Sequence, residues 1–83
     1  MPDERILVAE DEAEVLDMCV RALSREGYHV SGARSGVEAI EMVKSMSFDL
    51  LLTDIKMPGL SGLQAYREIK RQAPDIIGVA ITG

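Results

Sequence analysis

The chain reads as an α/β protein, a doubly wound parallel sheet assembled β-α-β-α-β-α-β. Short apolar runs alternate along it with amphipathic stretches, and the turns between them carry helix-start chemistry. The apolar runs lie at Ile6 to Ala9, Tyr28 to Ala33, Leu50 to Thr53 and Ile76 to Ile81. Between them apolar residues recur at helical spacing: Val15, Cys19, Ala22 and Leu23; Val37, Ile40 and Val43; then Leu63, Tyr66, Ile69 and Ala73.

In chain order, β1 is expected near 5–10, α1 at 12–26, β2 at 28–33, α2 at 36–46, β3 at 49–54, α3 at 62–72 and β4 at 76–82. Ser35 with Glu38 and Ser61 with Gln64 match the capping box that opens a helix, and Asp11 with Glu14 is a weaker analogue. Gly27 closes the first helix, a Ser-rich turn before Phe48 and Asp49 closes the second, and Pro74 closes the third. No repeat or linker interrupts the pattern, so one small domain over residues 1–83 and no second domain is expected.

Composition narrows the function classes. With 47% hydrophobic and 28% charged residues the chain is globular in type, although at 83 residues it buries only roughly two-thirds of its unfolded surface. A net charge of −5 without any Lys/Arg run argues against a nucleic-acid surface. Cys19 stands alone, which excludes an internal disulfide, and the start of the chain holds no apolar stretch of signal-peptide or membrane-span length. A cytoplasmic setting without membrane contact is the expectation. His29 has no chemistry-bearing neighbour in the sequence and reads as a solvated strand position.

The chemistry gathers at strand ends. Glu10, Asp11 and Glu12 follow β1, Asp54 follows β3 and Thr82 follows β4, all at the carboxyl edge where ligands bind in such sheets. If β1 and β3 are neighbours, Glu10, Asp11 and Asp54 converge, and like charges so close are costly unless a cation sits among them. A Mg2+-type site resolves the repulsion: hard carboxylate oxygens suit it, whereas zinc would want His or Cys. With the cation bound, a carboxylate can act as nucleophile toward a phosphoryl group, and Asp54, isolated at its strand end, is the candidate. Two plainer readings stand beside this one. Asp11 could simply cap α1, and Asp54 could be a turn residue before Pro58 and Gly59.

The order of these features resembles the receiver domain of bacterial two-component response regulators. That family shows an acidic pair after β1, an Asp after β3 opening a DxxMPxxxG stretch, and a Ser or Thr after β4. Here these are Glu10 and Asp11, then Asp54 with Met57, Pro58 and Gly62, then Thr82, and the SGVEAI run at 35–40 opens α2 in family style. The resemblance implies a flavodoxin-like sheet and a phosphoacceptor signalling module. Asp54 would take a phosphoryl group from a sensor histidine kinase, and Thr82 would be the switch hydroxyl. Mg2+ would be held by Glu10, Asp11, Asp54 and the backbone carbonyl of Lys56. The Lys56 side chain is expected to be a solvated turn charge.

A complete member of that family continues with a fourth helix, a fifth strand and a fifth helix (α4, β5 and α5), including a Lys that pairs with phosphoryl oxygens. By that pattern the sheet is incomplete, phosphotransfer is impaired, and the output domain lies outside these residues. An open β4 edge or bared sheet face leads us to expect self-association. Two other functions stand as alternatives: a truncated or engineered fragment that only self-associates, and a haloacid-dehalogenase-like phosphatase. The second needs another acid two residues after Asp54, where Lys56 stands. The expected chemistry is that of an acceptor, at most self-phosphorylating and self-dephosphorylating, rather than that of an enzyme.

Overall fold

The structure, a computed structural model, describes residues 3–81. Its elements are β1 (Arg5–Ala9), α1 (Ala13–Arg25), β2 (His29–Ala33), α2 (Gly36–Ser45), β3 (Leu50–Asp54), α3 (Gly62–Gln72) and β4 (Ile77–Ile81), each within its expected span. All strands run parallel in one sheet of order β2-β1-β3-β4. The chain thus steps outward from β1 to β2, returns past it to β3 and reverses direction, which is the condition for a ligand crevice beside β1 and β3. Among the described residues no helix is long and apolar enough to cross a membrane.

Strand alternation assigns the two faces of the sheet. A side chain at Gly32 would meet Leu16 of α1, and one at Gly78 would collide with the ring of Tyr66 of α3. Gly32 is in register with Val8, and Gly78 with Leu51, so Val8 looks toward α1 while Leu7 and Leu51 look toward α2 and α3. The core forms on the latter side, where Leu7, Leu51, Ala39, Ile69 and Ile76 pack with Phe48 and Met57. On the α1 side Ile6 and Val8 are buried, yet Ile77 is 64% and Val79 43% exposed, because α1 packs on β1 and β2 and leaves β4 uncovered.

The helix starts hold two surprises. Ser61 and Gln64 form a complete capping box, but at α2 Ser35 accepts from the Glu38 amide while the Glu38 carboxylate reaches past Ser35 to the amide of Arg34. The Asp11–Glu14 cap does not form: Glu12 is the N-cap of α1 and makes no side-chain cap. The Asp11 carboxylate is turned instead toward Glu10 and Asp54. Val37 and Leu63, expected on inner stripes, are exposed. Each stands in the first turn of its helix, at the carboxyl edge where the strands have ended, and the inward positions go to Ala39 and Ala65. Gly27, at φ 97°, ends α1 in the left-handed conformation that glycine adopts without strain.

Burial sets how each strand tolerates change. Leu51 is fully buried in the centre of the sheet, and Leu51→Ala is expected to cost about 3 kcal/mol through lost contacts and a residual cavity. Ile77→Thr, on the uncovered face, is expected to change stability by less than about 1 kcal/mol. Urea unfolding followed by circular dichroism checks both, and equal losses would contradict the assignment of faces.

Candidate functional site

Pairing of β1 with β3 puts Ala9 beside Thr53, so the residues that follow leave the sheet side by side. Glu10 is still tied to the sheet, its amide donating to the Ala33 carbonyl at 3.0 Å. Its side chain is only 5% exposed, and its Oε2 accepts the Glu12 amide at 2.9 Å. Asp54 ends β3 opposite Ile81, and its Oδ1 accepts the Lys56 amide at 3.2 Å, an Asx-type turn that aims the carboxylate. Glu10, Asp11 and Asp54 each offer an oxygen within 4.8 Å of the other two. The expected convergence therefore forms.

The loop behind Asp54 is fixed by packing as well as by hydrogen bonds. Met57 is buried in the core, and Gly59 turns the chain at φ 77°. The Gly62 amide closes the loop on the Ile55 carbonyl at 2.9 Å. A Cβ on Gly62 would sit inside the Asp54 carbonyl group, so only glycine lets α3 start hard against the backbone of this residue. The buried Thr53 hydroxyl donates to that same carbonyl at 3.1 Å. DxxMPxxxG is thus a packed unit: its first residue presents a carboxylate, its Met anchors the loop, and its last Gly removes a collision.

Not every candidate residue takes the same part. Lys56 reaches the site through its backbone amide, while its side chain is exposed and forms no ion pair among the described residues. Thr82 lies outside the described residues. Two residues that the sequence reading missed border the site. Thr53 carries no signal in the sequence beyond its place in a strand, and Arg34 donates from Nε at 3.2 Å and from Nη2 at 3.0 Å to the Asp11 carbonyl. A contact spanning 23 residues leaves no local signal in spacing or composition.

Electrostatics single out Glu10. Burial raises its carboxyl above the ordinary range; the Glu12 amide opposes the shift, while the hydrogen-bonded Asp11 carboxyl and the nearby Asp54 add to it. Three hard oxygen donors, with no His or Cys among them, fit Mg2+ by their chemistry.

The sign of the resulting pH effect follows from proton linkage. A carboxyl whose folded value is raised binds more protons folded than unfolded, so its contribution is fully present below the ordinary carboxylate value and lost as pH rises through the raised one. The contribution of Glu10 to the thermal stability of the metal-free chain should therefore fall on going from acid toward neutral pH. Glu10→Gln should flatten that loss, and Mg2+ should reverse it at neutral pH. Thermal melts across pH check this; a Glu10→Gln profile as steep as the parent's contradicts it.

Residues 6–83 match the model of the response regulator receiver domain family. The response regulator receiver protein CpdR of Brucella abortus is 40% identical over 80 residues, which cover 96% of this chain and 67% of that protein. The response regulator MprA of Mycobacterium ulcerans is 40% identical over 78 residues, 94% of this chain and 34% of its own length, so the chain spans about a third of that relative. Among solved structures, a CheY-like receiver domain protein of Methanospirillum hungatei superimposes with TM-score 0.94 at 29% identity, over 99% of this chain and 66% of that one. The response regulator TrrA of Thermotoga maritima, solved in complex with Mg(2+)-BeF, superimposes with TM-score 0.89 at 37% identity, over 95% of this chain and 69% of that one. Receiver domains are phosphoacceptors that bind Mg2+ at an acidic site and interact with sensor histidine kinases, and the cluster of Glu10, Asp11 and Asp54 fits such a site. This chain belongs to the response regulator receiver domain family.

Proposed function

We propose that Asp54 is the phosphoacceptor and that Glu10, Asp11, Asp54 and the Lys56 backbone carbonyl hold Mg2+ during transfer. The convergence of three carboxylates from the ends of β1 and β3 carries this reading. The Mg(2+)-BeF complex of TrrA, a chain of the same fold, lends it support. Asp54 is preferred as nucleophile because its carboxylate stands at a strand end with one oxygen oriented by the Lys56 amide, whereas Glu10 is buried and inclined to keep its proton.

When bound, Mg2+ offsets the negative charge of the transferring phosphoryl oxygens. One Asp54 oxygen attacks phosphorus, and an O–P bond forms as the bond to the donor breaks. From a kinase phosphohistidine the electron pair leaves on the imidazole nitrogen, which takes up a proton; from acetyl phosphate it leaves on acetate. Thr82 is assigned the switch hydroxyl on the family pattern alone. In this reading the chain is an acceptor, not a turnover enzyme, and acts in the cytoplasm on a signal from a sensor histidine kinase. Residues 1–83 form the N-terminal part of a receiver domain, in keeping with the 66% and 69% of the neighbouring structures that they cover.

Incubation with acetyl phosphate and Mg2+ followed by intact mass measurement tests the assignment. A single phosphoryl adduct is expected in the parent and none in Asp54→Asn, while Asp11→Asn should weaken Mg2+ binding by at least about tenfold. An adduct that persists in Asp54→Asn would move the phosphoacceptor elsewhere.

A second reading rests on a different observation, the exposure of Ile77 and Val79 on the uncovered face of edge strand β4. Apolar edge strands invite pairing, and we infer that this chain self-associates through that edge or face. Sedimentation at micromolar concentration should show a dimer or larger species; a monomer with full secondary structure sinks the idea.

A further inference from the structure

Two of the three clustered carboxylates are aimed by backbone amides: Glu10 by the amide of Glu12, and Asp54 by that of Lys56. Among the described residues no backbone amide holds the Asp11 carboxylate. Its direction therefore depends on the neighbouring Glu10 carboxyl and on how firmly the Asp11 backbone is held. We propose that Arg34 is the positioning residue that holds it. The inference rests on the Mg2+ site described above and extends it to a residue outside the acidic cluster.

The geometry is a clamp between two loops. Arg34 Nε and Nη2 converge on the single Asp11 carbonyl oxygen at 3.2 and 3.0 Å. The base of the clamp is itself fixed, because the Arg34 amide donates to Glu38 Oε1 at 3.1 Å while the Glu38 amide donates to Ser35 Oγ at 3.1 Å. The guanidinium thus projects from the exposed turn between β2 and α2, one residue before the Ser35 cap, and the Glu10 amide pinned to the Ala33 carbonyl secures the residue just before Asp11. A charged donor strengthens such bonds, and two donors from one planar group restrict rotation as a single ammonium cannot.

The choice of acceptor matters. Bonded to a carboxylate, the guanidinium would compete with a cation for its ligands. Bonded to a neutral carbonyl, it orders the loop and leaves all three carboxylates available. Groups that orient metal ligands without touching the metal commonly change affinity by an order of magnitude or more.

Calorimetric Mg2+ titration of the full chain, Arg34→Met, Arg34→Lys and the remote control Arg67→Met tests the proposal, with amide hydrogen exchange of the metal-free proteins alongside. Arg34→Met should bind Mg2+ about tenfold more weakly at an unchanged thermal midpoint, with Arg34→Lys between it and the parent and Arg67→Met like the parent. Exchange at Glu12, whose amide donates to Glu10 Oε2, should quicken in Arg34→Met without metal, which a mere change of net charge would not do. Affinity of Arg34→Met within about twofold of the parent, or tighter, overturns the inference while leaving the Mg2+ site standing. Weaker binding without faster exchange assigns the effect to charge and overturns it too. A parent that takes up no Mg2+ overturns both readings.

Discussion

The parallel pairing of β1 with β3 is the contact on which the rest of this molecule depends. It aligns Ile6 with Leu50 and Ala9 with Thr53, so two strands far apart in the chain end at the same height. Everything acidic in the site is the next residue or two along. A slip of β3 by one residue would turn Leu51 out of the core and would separate Asp54 from Glu10 and Asp11. Core and site are therefore specified by one alignment, and the apolar face that stabilises it also aims the carboxylates.

That arrangement sets stability against function. Three carboxylates within 4.8 Å of one another repel, and burial raises the Glu10 carboxyl further. The protein keeps the cluster in place with neighbours that tolerate it: the amides of Glu12 and Lys56, the Thr53 hydroxyl on the Asp54 carbonyl, the bare Cα of Gly62 and the Arg34 guanidinium on the Asp11 carbonyl. None of these neutralises a carboxylate with a fixed counter-charge. That leaves the cluster suited by its chemistry to a cation, as receiver domains bind Mg2+ at an acidic site.

Much of this was legible beforehand, for reasons that can be traced. Apolar runs and stripes mark strands and helices because local burial has a period, and Ser35 and Ser61 mark helix starts because the orphan amides of a first turn need an acceptor close in sequence. Where the structure departs from local expectation, a non-local factor decides. Asp11 is a good cap by type, yet it turns toward Glu10 and Asp54 and leaves Glu12 as the N-cap of α1. Val37 and Leu63 satisfy helical spacing, yet the sheet ends beneath them.

The amino-acid sequence by itself determined the alternation of elements, their spans, the strand-end placement of Glu10, Asp11 and Asp54, and the packed loop that begins at Asp54. Those follow from periodicity and turn chemistry acting over a few residues. Only the tertiary structure decided that Gly62 abuts the Asp54 carbonyl, that Arg34 reaches Asp11, and that the Asp11 carboxylate turns to Glu10 and Asp54 instead of capping α1, while the strand order and the bared β4 followed from the family resemblance. The physical reason is the range of the interactions. Hydrogen-bond caps and hydrophobic stripes act along the chain, whereas strand order, close backbone approach and the convergence of like charges exist only when distant segments share the same space.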